Sequence, residues 1–534
     1  MSGHPTDRPP NILFIMCDQL RWDYLSCNGH PFIRTPNIDA LARRGVRFNR
    51  TFVQSPVCGP SRMSFYTGRT VNSHGASWNG LSLPVSEWTI GDYLKPAGYR
   101  VALAGKTHMR GDIESLNRLG IARDTPIGLY LAEGGFEAFD RDDGIHTRQT
   151  MARTGQPHYN DWLRSLGYAG DNPWHDYANS VVDADGNVIS GWDMRSARYP
   201  ARVPEEHSET AYITNRAMEF IGGADARPWL LHLSYIKPHW PYVAPAPYHA
   251  AYGGNEVVPA VRSEAERHDP HPVYRAFMDM NASRSFARDE VRETVIPAYM
   301  GLVEQIDHHV GRLLRFLDEQ GDAANTVVVF TSDHGDYLGD HWLGEKELFH
   351  EASVRVPLIV YDPRPQADAA RGTAVDALVE AIDLLPTFIE MAGLPADRQR
   401  LEGRSLLGHI RGETPRDWRD AVFSELDYSH YAARLALSLG PNDARIFMVR
   451  TRAYKYLHYL GFPPQLYDLV ADPQELTDLG RSPAHAEIRA ELQALLFDRL
   501  ARRRYRVTAS DAAVEARTNK EEEVGIYIGR WSLK

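Results

Sequence analysis

The 534 residues are 43% apolar and 24% charged, with a formal charge of −11 at neutral pH. This composition predicts a soluble globular chain of one large and one smaller domain, and its acidic balance excludes a broad basic face for nucleic acid or for anionic membranes. Three cysteines, Cys17, Cys27 and Cys58, are too few for a disulfide framework; no apolar run reaches spanning length and MSGHPTDRPP has no apolar leader, so a cytoplasmic location is expected.

Asn11 to Cys17, NILFIMC, is almost wholly apolar between Pro10 and Asp18, as in a strand buried on both faces of a parallel sheet. Thr35, Pro36 and Asn37 precede IDALARRG, a short helical pattern stopped by Gly45. Val46 to Val53 is extended and leads into QSPVCGPSRMSFYTGR, Gln54 to Arg69. Pro60, with Ser55 ahead of it, suits a helix start, where backbone N–H groups gather around an anion. A lone cysteine is usually a small buried hydrophobe. Here Arg62 follows Cys58 by one helical turn, which puts thiol and guanidinium on one face.

TIGDYLKPAG reads as a helix and YRVALAGK as a second buried strand ending on Lys106. Residues 110–205 are rich in Gly, Asp, Arg and Tyr without periodicity, and predict long functional or lid-like loops. Glu209 to Ile221 is helical; RPWLLHLSYIKPHWPY is a strand running into a proline-broken loop that carries His239. Arg288 to Gln320 holds a long amphipathic helix with Tyr299, Leu302, Val303, Ile306, Val310, Leu313 and Leu314 on its apolar stripe. Asn325 to Ser332 is a core strand that delivers Asp333 and His334, Val356 to Tyr361 another, and AIDLLPTFIEMAG a helix. Beyond about residue 400 the strands at Ala421 to Leu426 and Tyr454 to Leu460 have mixed polarity, as in a small antiparallel sheet, and a helix follows at Ala484 to Tyr505. The tail, Glu521 to Lys534, sets Val524, Ile526, Tyr527, Ile528 and Trp531 behind a glutamate run; docking on a neighbouring subunit in a homo-oligomer, or on its own domain, would cover them.

Alternating strands and helices predict an open, mostly parallel α/β sheet, which binds ligands beyond the carboxyl ends of its strands. Asp18-Gln19, Lys106, His239 and Asp333-His334 all fall just after such strands, and so form one set with Cys58. Asp18 and Asp333 offer carboxylate oxygens, Gln19 a carbonyl oxygen and His334 a ring nitrogen, donors that suit a divalent cation. Taken singly, each carboxylate is equally at home as a turn or cap residue.

C-x-P-S-R followed by T-G-R resembles the sulfatase signature, in which the cysteine is oxidised to formylglycine, the catalytic aldehyde. FIMCDQ and TSDHGDYLGDH are similar to that family's two metal motifs, with Gln19 and His334 where many members carry Asp and Asn. TPNIDALARRGVRF, HLSYIKPHWPYVAPAPYHAAY and QLYDLVADPQELTDLG extend the likeness over most of the chain. It looks like a sulfatase of the alkaline phosphatase superfamily, close to the arylsulfatase and phosphonate monoester hydrolase branch. The resemblance implies a large α/β domain over 1–400, a smaller C-terminal α/β subdomain over 401–510 and a tail over 511–534. It implies formylglycine at Cys58, made by a formylglycine-generating maturation enzyme, and one divalent metal, calcium or manganese, on Asp18, Gln19, residue 58, Asp333 and His334. GKTHM is similar to the family's G-K-x-H, so Lys106 is implied to bridge aldehyde hydrate and sulfate and His108 to take a proton on collapse. His239 in KPHWPY is implied to face the leaving-group oxygen, and Lys346, in the otherwise helix-like GEKEL, to be a second sulfate-binding lysine. Arg62 joins the charge-neutralising set, with Asn79 and Thr107 as pocket residues. Phosphonate monoester hydrolases are implied to carry Tyr and Thr where this chain has Lys106 and His108. Sulfate monoesters, aryl ones among them, are therefore expected as the small anionic substrate. Phosphonate or phosphodiester hydrolysis is the alternative, and an unconverted, non-catalytic binding protein a third reading.

Overall fold

The computed structural model describes residues 8–154, 157–529 and 531. Residues 1–7 of the N-terminal segment and residues 530 and 532–534 of the tail lie outside them. Strands β1 (Asn11–Asp18), β2 (Val46–Phe52), β3 (Arg100–Gly105) and β4 (Glu137–Arg141) are followed by a small hairpin, β5 (Ser180–Val182) and β6 (Val188–Ser190). Then come β7 (Trp229–Pro238), β8 (Thr326–Ser332), β9 (Arg355–Tyr361), β10 (Thr373–Val375) and β11 (Val379–Glu380). All but the hairpin form one nine-stranded sheet in the order β10-β2-β9-β8-β1-β7-β3-β4, with β11 also on β2.

The centre of the sheet is what the apolar runs predict. Every residue of β1, β7 and β8 is buried, and β1 lies parallel between the other two, with Met16 opposite Ser234 and Thr331. Ile12, Phe14 and Met16 feed one core and Leu13, Ile15 and Cys17 the other, so alternate side chains of one strand serve both layers. One face is covered by α1 (Pro36–Arg44), α3 (Glu209–Gly222) and α4 (Asp289–Gln320), the other by α2 (Cys58–Thr67) and α5 (Leu384–Met391). The expected stripe of α4 is buried except at Leu314, which is partly exposed.

Strand β9 runs antiparallel to both neighbours, β8 and β2. The chain returns from β8 through a loop with a 3-10 turn at Asp340–Trp342 and a one-turn helix at Glu351–Val354, too little to cross the sheet as a parallel connection requires.

The C-terminal sheet is antiparallel in the order β12 (Ala421–Asp427), β13 (Arg445–Thr451), β14 (Tyr454–Tyr459) and β15 (Gln465–Asp468), and α6 (Ala486–Ala501) packs on it. Strands β12 and β14 match the sequence reading; β13 and β15 go beyond it. Val422, Leu426, Ile446 and Leu457 belong to the same core as Phe14 and Phe388, so the apolar interior continues into this sheet.

Residues 110–205 depart from expectation. They hold helices at Ile113–Arg118, Pro126–Ala132, Arg148–Thr154 and His158–Ser165, strand β4, the β5/β6 hairpin, and the buried residues Tyr159, Leu163, Trp174 and Val203, which cluster with Tyr212 of α3. Elements this short complete barely two helical turns, and leave no readable period.

Candidate active site

Strands β1 and β8, paired in register, bring Asp18 and Asp333 side by side at their carboxyl ends. A register shift against β7 between Cys17 and Asp18 re-aims the aspartate. The backbone of Gln19 is held at φ 66°, its carbonyl accepting a 2.8 Å bond from Tyr299 Oη of α4 and its N–H donating to Asp333 Oδ1 at 3.0 Å. The Gln19 amide is also oriented: Nε2 donates to Asp336 Oδ2 at 2.5 Å, which turns Oε1 toward Lys346 Nζ, 2.9 Å away.

Cys58 opens α2. The residue before it is Val57, which supplies no side-chain cap; the cap comes not from Ser55 but from Asn79, whose Oδ1 accepts from Gly59 N–H at 2.7 Å. A Cβ on Gly59 would lie 2.8 Å from that oxygen and 3.1 Å from Asn79 Cα, so only glycine lets this loop approach. Gly68 ends the helix at φ 65°. The sheet of the C-terminal subdomain braces the approach to Cys58, since Glu425 N–H donates to Gln54 O at 2.8 Å and Ser424 Oγ to Val53 O.

Around the buried Cys58 sulfur stand His334 Nε2 at 3.1 Å, Lys346 Nζ at 3.5 Å, Asp18 Oδ1 at 3.7 Å and Lys106 Nζ at 3.9 Å. Lys106 also pairs with Asp18 Oδ2. Arg62 reaches the same carboxylates from beneath: Nε donates to Asp333 Oδ2 at 2.8 Å, Nη2 lies 3.5 Å from Asp18 Oδ2, and Nη1 donates to Lys106 O and Ser234 Oγ. Its guanidinium, expected to face the transferring group, is instead wholly buried and committed to aligning Asp18 and Asp333. Burial by itself favours the protonated Asp18 carboxyl, yet Lys106, His239, Arg62 and His334 hold it well below the usual carboxylate range.

Lys346 is placed beside the sulfur by a loop rather than the exposed helix its sequence suggests. Leu338, His341, Trp342, Glu345 and Glu347 all have positive φ, and Lys346 is buried between the last two. Its ammonium donates to Gln19 Oε1 and lies 3.1 Å from His239 Nε2. His239 stands on the loop after β7 with Nδ1 2.6 Å from Trp240 O, which leaves Nε2 free of its proton. Burial, then Lys346, holds this imidazole well below its usual range. His108 sits at φ 58° after β3, with its N–H and that of Thr107 on Asp143 Oδ1 at 2.9 and 3.0 Å. Thr107 contributes this backbone contact, while His108 Nδ1 is buried without a hydrogen-bond partner among the described residues.

Sequence reasoning missed Asp336, Ser234, Tyr299 and Asp143, which position the set. Only Asp336, two residues after His334, carried a signal. The donors fit a divalent cation: ligand atoms of Asp18, Cys58, Asp333 and His334 lie within 4.8 Å of one another, all buried. His334 Nδ1 lies 2.9 Å from Gly335 O and so keeps the proton, which leaves the Nε2 lone pair facing both carboxylates at 3.7 Å. Three cations, Arg62, Lys106 and Lys346, are gathered around the Asp18 and Asp333 carboxylates and the Cys58 sulfur, a local concentration of positive groups inside an acidic chain.

A mostly parallel sheet with such a cationic, oxygen-rich centre at its carboxyl edge defines a hydrolase of the alkaline phosphatase superfamily. The model of the sulfatase family matches residues 10–394, and the chain belongs to that family. The C-terminal model of N-sulphoglucosamine sulphohydrolase matches residues 339–502. A multifunctional alkaline phosphatase superfamily protein, PehA, of Trinickia caryophylli is 31% identical over 90% of this chain and 92% of its own. An arylsulfatase of Clostridium perfringens is 28% identical over 92% and 94%. The crystal structure of a phosphonate monoester hydrolase of Agrobacterium radiobacter superposes with a TM-score of 0.80 at 29% identity, covering 92% of this chain and 95% of that one. No helix of the described residues is long and apolar enough to cross a membrane.

Proposed function

We propose that the chain hydrolyses sulfate monoesters, aryl sulfates among them, with residue 58 in its formylglycine form. The observation that carries this reading is the approach of two ammonium groups, Lys106 and Lys346, to the Cys58 sulfur at 3.9 and 3.5 Å. A divalent cation bound by Asp18, Gln19, Asp333, His334 and residue 58 would supply positive charge and acidify the oxygen nucleophile. The nitrogen of His334 favours manganese over calcium.

The chain's own residues do the rest. Lys106 and Lys346 clamp the anionic group and take up charge as it spreads over the transferring oxygens. His239 Nε2, unprotonated beside the Lys346 ammonium in the resting site, would take up a proton once an anionic group is bound and pass it to the leaving oxygen. His108, with its unpartnered Nδ1, accepts one when the group leaves residue 58. Arg62 holds Asp18 and Asp333 in place and does not touch substrate.

Hydrolysis of phosphonate monoesters is a second reading, favoured by the fold match to the Agrobacterium enzyme. The deciding comparison is kcat/KM for a nitrophenyl sulfate against a nitrophenyl phenylphosphonate, in wild type and in Lys106→Ala. Wild type should prefer the sulfate, and Lys106→Ala should erase most of that preference. A wild-type preference for the phosphonate of about tenfold, or about 1.4 kcal/mol at the transition state, would overturn the assignment. Conversion of Cys58 lowers the mass of its peptide by about 18 Da; active protein with an unmodified cysteine throughout refutes the formylglycine reading and leaves the fold assignment standing.

The same reading includes a maturation enzyme acting on Cys58, a cytoplasmic location supported by three unpaired cysteines, and a homo-oligomer, dimer or tetramer. Of the division at 1–400, 401–510 and 511–534, the first boundary is supported by the change from the mostly parallel to the antiparallel sheet. The intact clamp argues against an unconverted binding protein.

A further inference from the structure

Away from the Cys58 centre, a cavity of about 400 Å³ opens where the edge of the large sheet meets the C-terminal sheet. Five arginines line it: Arg47 and Arg50 of β2, Arg355 of β9, Arg450 of β13, and Arg452 just after it. Two carboxylates, Glu351 and Asp376, line it with them. None of the lining residues belongs to the catalytic set.

The pairing leaves charge over. Glu351 is shared among Arg355 at 3.6 Å, Arg450 at 3.3 Å and the buried Lys455 at 3.2 Å. Asp376 accepts from the Asn49 amide at 2.7 Å, and Arg452 reaches only its backbone oxygen, at 3.1 Å. Arg47 donates to the neutral Asn28 side chain at 3.3 Å. Arg50, half-buried, makes no side-chain hydrogen bond or ion pair among the described residues. Five guanidiniums against two carboxylates leave an excess of three positive charges in a concave site, in a chain whose net charge is −11.

Two of the arginines are also held in place. Arg355 stacks its guanidinium 3.5 Å over the Trp22 ring and donates to Asn49 O, and Arg450 packs over the Phe52 ring at 4.9 Å while donating to Thr451 O at 2.8 Å. Planar forks fixed in this way match the oxygens of a tetrahedral anion. Burial, then Arg450 and Arg452, draws Arg50 below its ordinary basicity. A like-charge cluster of this kind is relieved by an anion that binds between its members.

We propose that this cleft is a second anion site, which binds a tetrahedral oxyanion, sulfate or phosphate, free or carried on a small molecule. Its position at the seam gives the ligand a hold on both sheets, through Arg47, Arg50 and Arg355 on one side and Arg450 and Arg452 on the other.

The test is calorimetric titration of the full chain with sodium sulfate and, separately, sodium phosphate at low ionic strength, with sodium chloride as the matched control. Wild type and Arg50→Ala/Arg452→Ala are compared. Wild type should show two classes of site, the catalytic centre and the cleft. The variant should lose one class or bind there about tenfold or more weakly, with kcat/KM for a nitrophenyl ester unchanged when no anion is added. Because the substitutions remove repulsion, the variant should melt no lower than wild type without anion, and gain less in Tm when sulfate or phosphate is added. Preference between the two arms identifies a sulfated or a phosphorylated ligand. Equal site numbers and equal Tm gains in both proteins, or chloride as effective as sulfate in wild type, overturn the proposal.

Discussion

At the scale of single residues, the chemistry depends on which atom of a neutral side chain faces the centre, and Gln19 is the sharpest case. Asp336 accepts from Gln19 Nε2 and Tyr242 Oη on one oxygen and from Leu338 N–H on the other. Both oxygens thus face donors, so an amide NH2 on either branch would meet one. Asp336→Asn should therefore turn the Gln19 amide over, present its NH2 to the cation, and weaken metal binding by about ten- to a hundredfold. Gln19→Glu in the same protein restores an oxygen toward the centre and a partner for the new amide, and should recover most of that loss. Metal titration of the two variants checks this; equal weakening in both would mean that Asp336 acts only through packing. Asp336 was not singled out in the sequence because one aspartate in TSDHGD looks like another until the three donors around it are seen. Cys58, Lys106, His239 and Asp333, by contrast, stood out because each follows a recognisable strand or motif.

At the scale of elements, α2 carries the centre, and the short helix Val71–His74 holds it from behind. His74 is buried, its Nε2 3.0 Å from Ser64 Oγ of α2 and its Nδ1 accepting from Ala76 N–H at 3.2 Å. Burial, helped by Arg69, lowers its pKa to about 3. The folded state thus prefers neutral His74, while the unfolded chain takes up a proton near pH 6.5. Its contribution is complete above that value and is lost as pH falls from about 6.5 toward 3, at up to about 1.4 kcal/mol per unit. His74→Gln should remove about 2 kcal/mol of the destabilisation between pH 6.5 and 5. Urea midpoints of both proteins at the two pH values measure it, and parallel pH profiles would refute it. The strands that carry Asp18, Lys106 and Asp333 were legible because burial on both faces demands unbroken apolar runs. The loop that carries Lys346 was not, because GEKEL has helical composition and its true conformation, with positive φ on both sides of the lysine, is imposed by packing. Residues in that region cost about 1 kcal/mol or more each, a cost commonly found at functional sites.

At the scale of the whole molecule, a buried ammonium is one of the ties between the C-terminal sheet and the chain that follows β8. Lys455 of β14, fully buried, lies 2.6 Å from Glu475 and 3.2 Å from Glu351 and donates to Phe349 O at 2.7 Å. Lys455→Met leaves Glu475 without a cation and takes one of three from Glu351 inside the seam, and should cost about 3–5 kcal/mol, read from the denaturant midpoint. A shift of less than about 1 kcal/mol would mean that water reaches the seam and the pair is worth no more than a surface one. The tail makes a separate prediction. Ile528 is 92% exposed and Trp531 103%, far more than an isolated chain is expected to leave in water. Truncation after residue 510 should move the sedimentation profile to a smaller species; a monomer profile unchanged by the truncation rules out the oligomer.

The pairing of β1 with β8 also sets a clock for synthesis. Strand β1 can pair with β7 earlier, but its other edge, where Asn11 meets Thr326 and Cys17 meets Ser332, stays open until well over half of the chain has been made. Cys58, 1% exposed once the sheet closes, stays reachable meanwhile. Roughly 270 residues separate it from the end of β8, which at about 5–20 residues per second leaves roughly 14–54 s. An enzyme that reaches this sulfur before the sheet closes would have at least that interval on a chain still emerging from the ribosome, and slower translation would lengthen its opportunity.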